Sequence, residues 1–96
     1  MDAPSFEEAV WQIVGAVPQG RVCSYGQVAA LAGYPRHARH VGRTLSHLPP
    51  GSKLPWHRIV RADGQLPMGA EQARRLRAEG VVVRAGRVSV AQLGWP

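Results

Sequence analysis

Apolar side chains recur at Phe6, Val10, Ile13, Val14 and Val17, the spacing of one helix face. Ser5 stands just ahead of them and Glu8 three residues after it, so a capping box starts a helix over residues 6–16. Pro18-Gln19-Gly20 ends it as a turn. Val22-Cys23 allows only a brief extended piece. Ser24-Tyr25-Gly26-Gln27 is a second capping box; Val28, Ala29, Leu31 and Ala32 follow, and Gly33 is placed to close a short helix over 25–32. Pro35 can open a third helix, over 36–48. Its apolar side is Val41, Leu45 and Leu48; Arg36, His37, Arg39, His40, Arg43 and His47 supply the other. Two helices joined at Gly33-Tyr34-Pro35 form a helix-turn-helix pattern.

Pro49-Pro50-Gly51-Ser52 breaks the chain. Residues 54–60 are too short and too proline-bounded for a helix, and Asp63-Gly64 is a turn signal. A fourth helix is predicted over 71–79, closed by Gly80, with Arg74, Arg75 and Arg77 as a solvated face. The runs 81–83 and 88–90, joined at Ala85-Gly86-Arg87, predict a hairpin. The expected fold class is therefore α/β, mainly α: a winged helix-turn-helix-like arrangement in one domain over residues 1–96.

Charge narrows the function. Lys and Arg number 12 against 6 Asp and Glu, and Lys53 is the only lysine, so the excess is arginine. Such a balance favours an anionic partner, nucleic acid foremost. Cys23 is the only cysteine, which excludes an internal disulfide. No run approaches the roughly 18 apolar residues of a membrane span, so no membrane partner is expected. Met1 to Pro4 carries no basic segment ahead of an apolar one, so an intracellular protein is expected. His37 and His40 could share a metal, but Cys23 alone does not complete a zinc site. Neither metal nor cofactor is expected.

At Pro55-Trp56-His57-Arg58-Ile59 the pattern becomes specific. It resembles the active-site signature of the alkylguanine-DNA alkyltransferases, Pro-Cys-His-Arg-Val. Ser24-Tyr25, Leu31-Ala32-Gly33, Pro35, Arg39, Val41-Gly42, Pro49 and Pro55 keep that family's order and spacing, so the resemblance spans residues 6–80. Two departures refine it. Trp56 replaces the nucleophilic cysteine, and the family's amino-terminal domain is expected to be absent. The chain is thereby identified as a member of the alkyltransferase-like group, with the fold of the alkyltransferase C-terminal domain.

That resemblance implies a non-enzymatic binder of duplex DNA carrying O6-alkylguanine, which flips the base into a pocket and marks the lesion for nucleotide excision repair proteins. Tyr25, Trp56, His57 and Ile59 would form the pocket. Arg39 would be the finger that fills the vacated stack, and Tyr25 would crowd the phosphate beside the rotating nucleotide. Ser24, Arg36, Ala38, Gly42 and Arg43 would meet the DNA, with the third helix in the minor groove. Glu79 falls where the family orients the histidine, so His57 and Glu79 are expected as a hydrogen-bonded pair. Leu48 stands where the family has an asparagine that braces the active-site turn. The stretch after the motif, Leu66-Pro67-Met68-Gly69-Ala70, is shorter than the family's and implies a roomier pocket. A monomer is expected, in the nucleoid-associated cytoplasm if bacterial or the nucleus if eukaryotic.

The chemistry agrees with a loss of catalysis. Alkyl transfer needs an activated thiolate, and an indole offers no comparable nucleophile. Two alternatives stay open at this point: a residual alkyltransferase using Cys23, and a winged-helix transcription regulator that reads undamaged sequence.

Overall fold

The computed structural model describes residues 3–96; of the N-terminal residues read for a leader, Met1 and Asp2 lie outside it. Helix α1 occupies Phe6–Ala16, as its apolar spacing predicts, and Ser5 Oγ accepts from the Glu8 amide at 3.1 Å. Strand β1, Cys23–Ser24, runs directly into α2, Tyr25–Leu31. Ser24 Oγ caps α2 by accepting from the Gln27 amide at 3.1 Å.

The third helix, α3, is shorter than predicted and spans Ala38–Ser46. Gly33, at φ +92°, and the bond from the Tyr34 amide to Ala29 O close α2 in a way that leaves Pro35 and Arg36 in a turn. At the other end, Ser46 Oγ and His47 Nδ1 both bond the Arg43 carbonyl oxygen at 2.8 Å, competing with continuation of the helix. Arg36 and Leu48 therefore lie outside it.

The motif segment folds as a single 3-10 turn, Trp56–Arg58, leading into strand β2, Ile59–Val60. Strands β1 and β2 pair in parallel, Cys23 with Ile59 and Ser24 with Val60. Parallel pairing requires a long crossover, which α2 and α3 provide. Strand alternation then divides the core. Cys23 and Ile59 join Val10, Val14, Val17, Val28, Ala29 and Val41 beneath α1, α2 and α3. Val22 and Val60 face the other way, into Ala73, Leu76, Val81, Val83 and Val88. The small sheet is thus the partition between two apolar clusters.

Helix α4, Gly69–Ala78, begins two residues before its predicted start, and a one-turn helix α5, Val90–Leu93, replaces the second arm of the expected hairpin. The reason is local. Ser89 Oγ caps α5 through the Gln92 amide, and the Val88 amide bonds Gly64 O at 3.0 Å instead of a facing strand. Gly64 cannot be replaced without strain: its φ is +87°, and a Cβ there would lie 2.1 Å from Val88 O. Only the tip of the wing remains, Arg84 bridged to Arg87 around Ala85 and Gly86, both at positive φ. The domain is mainly helical, with one two-stranded sheet.

Candidate nucleic-acid interface

The Trp56 turn is held from behind by α4. Gln72 lies on the helix's apolar side beside Ala73 and Leu76 and is fully buried. Its Nε2 donates to His57 O at 3.1 Å and to Ile59 O at 2.7 Å, while its Oε1 accepts from the Met68 amide at 3.1 Å. A buried amide with its donors and acceptor used is a rigid brace. Leu48 lines the cavity and offers the turn no hydrogen bond; Gln72 braces it from the α4 side. The signal in the sequence was a polar residue four positions before Leu76, on a face that should be apolar.

Glu79 is the second support. His57 Nε2 donates to Glu79 Oε2 at 2.7 Å, which confirms the expected pair. The sequence reading missed Arg58, which reaches the same carboxylate through Nε at 3.0 and 3.1 Å and NH2 at 2.7 Å, and donates from NH1 to Val17 O at 2.8 Å. The Gly20 amide adds a further bond to Glu79 Oε1 at 3.0 Å. Burial opposes ionisation of Glu79, but the hydrogen bonds from Arg58, His57 and Gly20 outweigh it and hold its pKa down at about 2. One carboxylate so joins the motif to the turns after α1 and α4. With its Nε2 proton directed at Glu79, His57 keeps Nδ1 as its other ring nitrogen. That atom is buried and makes no hydrogen bond among the described residues.

Trp56 stands in front of this support. It lines a cavity of about 370 Å3 with Tyr25, Gly42, Leu45, Leu48 and Met68. That volume lies within the roughly 300–1,000 Å3 of small-molecule sites. Gly42 faces the Tyr25 ring: a Cβ there would stand 3.8 Å from the ring carbon Cε1. Burial pushes the Tyr25 hydroxyl above its ordinary pKa, with the charge of Arg61 opposing, so the phenol is neutral. Arg75 lies over the indole of Trp56, its guanidinium carbon 5.2 Å from the ring centroid, and its Nε bonds Glu71 at 2.9 Å. The arginine face of α4 was expected to be simply solvated. Arg74 does pair only with Glu71, but Arg75 packs on Trp56 and Arg77 bonds Val83 O at 3.2 Å.

The other expected residues divide clearly. Ile59, expected in the pocket, does not line it: strand alternation turns its side chain into the first core, where it is fully buried. His57 is likewise buried behind Trp56 and is absent from the cavity wall. Ser24 uses its hydroxyl as the α2 cap. Arg36, Arg39 and Arg43 are exposed on and just before α3, and among the described residues their guanidinium groups make no hydrogen bond. Ala38 is the first residue of α3. The exposed edge of α3 is therefore cationic and adjoins the Gly42 side of the cavity.

A larger cavity, about 560 Å3, lies between α1 and α3, bordered by Phe6, Trp11, Tyr34, His37, His40 and His47. It contains none of the motif residues. His37 and His40 stack there with ring centroids 5.1 Å apart, and no group of three or more potential metal-ligating side chains occurs among the described residues. Cys23 is buried in β1, and burial pushes its thiol pKa up to about 11.

The family model of the 6-O-methylguanine DNA methyltransferase DNA binding domain matches residues 5–81. A DNA base-flipping protein of Escherichia coli is 47% identical over 96 residues, covering 95% of this chain and 74% of its own. Alkyltransferase-like protein 1 of Schizosaccharomyces pombe is 31% identical, covering all of this chain and 94% of its own. The crystal structure of S. pombe Atl1 in complex with damaged DNA containing O6-carboxymethylguanine superposes with a TM-score of 0.89 at 29% identity, over 100% of this chain and 99% of that one. The helix-turn-helix, the Trp56 turn and the Glu79 support all fall inside the matched span, and the chain belongs to the 6-O-methylguanine DNA methyltransferase DNA-binding-domain family, as an alkyltransferase-like member.

Proposed function

We propose that this protein binds duplex DNA containing O6-alkylguanine, admits the extruded base to the cavity between Tyr25 and Trp56, and releases it unaltered. The observation that carries the proposal is Trp56 itself: an indole fills the wall of a pocket whose histidine and carboxylate stand behind it with no nucleophile to serve. Cys23 does not substitute for one. Its thiol is buried in the sheet, and with a pKa near 11 it supplies almost no thiolate at neutral pH. The names of the E. coli and S. pombe relatives support the same reading.

Extruding a base costs a few kcal/mol, less for a damaged pair. Stacking on an aromatic ring returns roughly 1–3 kcal/mol per base. Trp56, in the cavity wall, is the ring that would provide it. Arg39, exposed on α3, is the candidate to occupy the gap in the stack, and the exposed Arg36 and Arg43 would meet phosphates. Those contacts carry no sequence information, so affinity should fall steeply with salt while lesion preference persists. Bound in this way, the protein would mark the lesion for nucleotide excision repair.

The test pairs two measurements on one sample: affinity for matched duplexes with and without O6-alkylguanine, and the intact mass of the protein afterwards. Lesion preference with unchanged mass is expected, and Arg39→Ala should abolish most of that preference. An added alkyl mass would show a transferase acting through Cys23. Equal affinity for both duplexes, with discrimination among undamaged sequences, would show a transcription regulator.

A further inference from the structure

Residues 81–83, after α4, alternate in burial as a half-buried strand does but pair with no strand among the described residues. Val81 and Val83 are buried in the second core, while Val82 between them is 63% exposed, the alternation of a half-buried strand. The chain that should pair with it has gone elsewhere: the Val88 amide bonds Gly64, and Val90 opens α5. The Val82 amide and carbonyl and the Val83 amide make no hydrogen bond among the described residues. Alongside runs a groove of about 540 Å3 bordered by Val82, Arg84, Arg87, Ser89, Gln92 and Leu93. Its charged lining is all cationic. Among the described residues Arg84 makes no side-chain hydrogen bond and Arg87 has only a loose contact with Asp63 at 3.9 Å, the Arg87 and Asp63 side chains being about half exposed. The groove shares no residue with the Trp56 cavity or with α3.

We infer that this groove is a docking site for an extended acidic segment of a partner protein, which adds as a strand along residues 81–83. An open edge recognises a peptide because a second main chain brings donors and acceptors in alternation. A nucleic-acid backbone brings phosphate acceptors only and would leave the Val82 carbonyl unpaired. The groove also offers no aromatic ring for a base to stack on, whereas Val82 and Leu93 provide apolar contact for alternate side chains. Arg84 and Arg87 would select acidic residues on the strand's outer positions. The site leaves α3 and the Trp56 pocket uncovered, so peptide and damaged duplex should bind together. This inference does not depend on the fate of the base.

The probe is a fluorescein-labelled synthetic peptide alternating glutamate with valine, titrated into the full chain. Three controls accompany it: the same peptide with lysine for glutamate, a version N-methylated at alternate amides, and the protein variant R84E/R87E. The glutamate peptide should bind, and each control should weaken binding at least tenfold. Hydrogen exchange at the Val82 amide, whose N–H and carbonyl share the open edge, should slow severalfold on binding, and saturating lesion duplex should not displace the peptide. Absence of binding overturns the inference. So does equal binding of the N-methylated peptide, which would reduce the site to a charged patch, or displacement by duplex, which would assign the groove to nucleic acid.

Discussion

Two glutamates near opposite ends of α4 carry the same signature and do different work. Glu71 and Glu79 are each bonded to arginine, and each has its pKa drawn down to about 2. Glu71 owes this first to hydrogen bonds from Arg74, then to those from Arg75, on an open surface where its side chain is 47% exposed. Glu79 is 11% exposed and must overcome burial with bonds from Arg58, His57 and Gly20. A shifted pKa therefore does not measure structural worth. Water competes for the partners of Glu71 and screens them, whereas the partners of Glu79 have nowhere else to turn.

The sharpest way to break the comparison is Glu79→Ala. It strands the Arg58 guanidinium, the His57 Nε2 proton and the Gly20 amide in a half-closed site. Breaking a buried pair costs about 3 kcal/mol or more. For a domain of this size, each kcal/mol moves the melting temperature by about 4–8 °C. A fall of at least 10 °C in calorimetry is expected. A shift no larger than that of Glu71→Ala would mean that burial does not separate the two sites.

Acid titration sharpens the same contrast. The folded-state pKa of Glu79 lies below its value of about 4.5 in the unfolded chain, so its contribution is complete above that pH and disappears as pH falls toward 2. The stability lost over this window is on the order of 3 kcal/mol, since each unit of pKa corresponds to about 1.4 kcal/mol. Urea unfolding between pH 6 and pH 2.5 should show the decline in the parent protein. In Glu79→Gln the curve should be flatter over the same range.

The comparison also marks what the sequence could reveal. The first two helices follow from local signals, Ser5 and Ser24 as caps and apolar residues at helical spacing, and the motif pointed to the His57–Glu79 pair. Long-range choices were not legible. The hairpin failed because Ser89 begins a helix and Gly64 takes the Val88 amide, both decided by packing rather than by the valines themselves. Ile59 sits within the motif, yet strand alternation turns it away from the pocket, which depends on knowing that residues 59 and 60 pair with residues 23 and 24. Arg58, Gln72 and the Arg75 contact with Trp56 were missed because their partners are distant in sequence or are main-chain atoms.

The pocket separates the two ends of α4 by function. Trp56→Ala should weaken binding to O6-alkylguanine duplex by about tenfold to a hundredfold, the range of one base-stacking contact. Binding to undamaged duplex should change far less. Fluorescence anisotropy with the two duplexes measures both. Equal losses on both would remove Trp56 from lesion recognition and leave it as a wedge that fills space.

The smallest effect belongs to Glu71 and Arg75. Arg75 lies over one face of Trp56 and is itself tethered by Glu71, so this exposed pair is expected to restrict the indole that lines the cavity. An exposed cation–π contact contributes about 0.5–1 kcal/mol, so Arg75→Ala should lower lesion affinity about twofold to fivefold by allowing Trp56 to sample other rotamers. Glu71→Gln keeps Arg75 in place but loosens its tether, and should fall between the parent and Arg75→Ala. Neither should shift the melting temperature measurably, unlike Glu79→Ala. Time-resolved anisotropy of Trp56, in a background with Trp11 and Trp95 replaced by phenylalanine, would report the indole directly. Freer motion together with weaker lesion binding would give the exposed end of α4 a role in recognition. Unchanged motion would reduce the Glu71–Arg75 pair to surface charge.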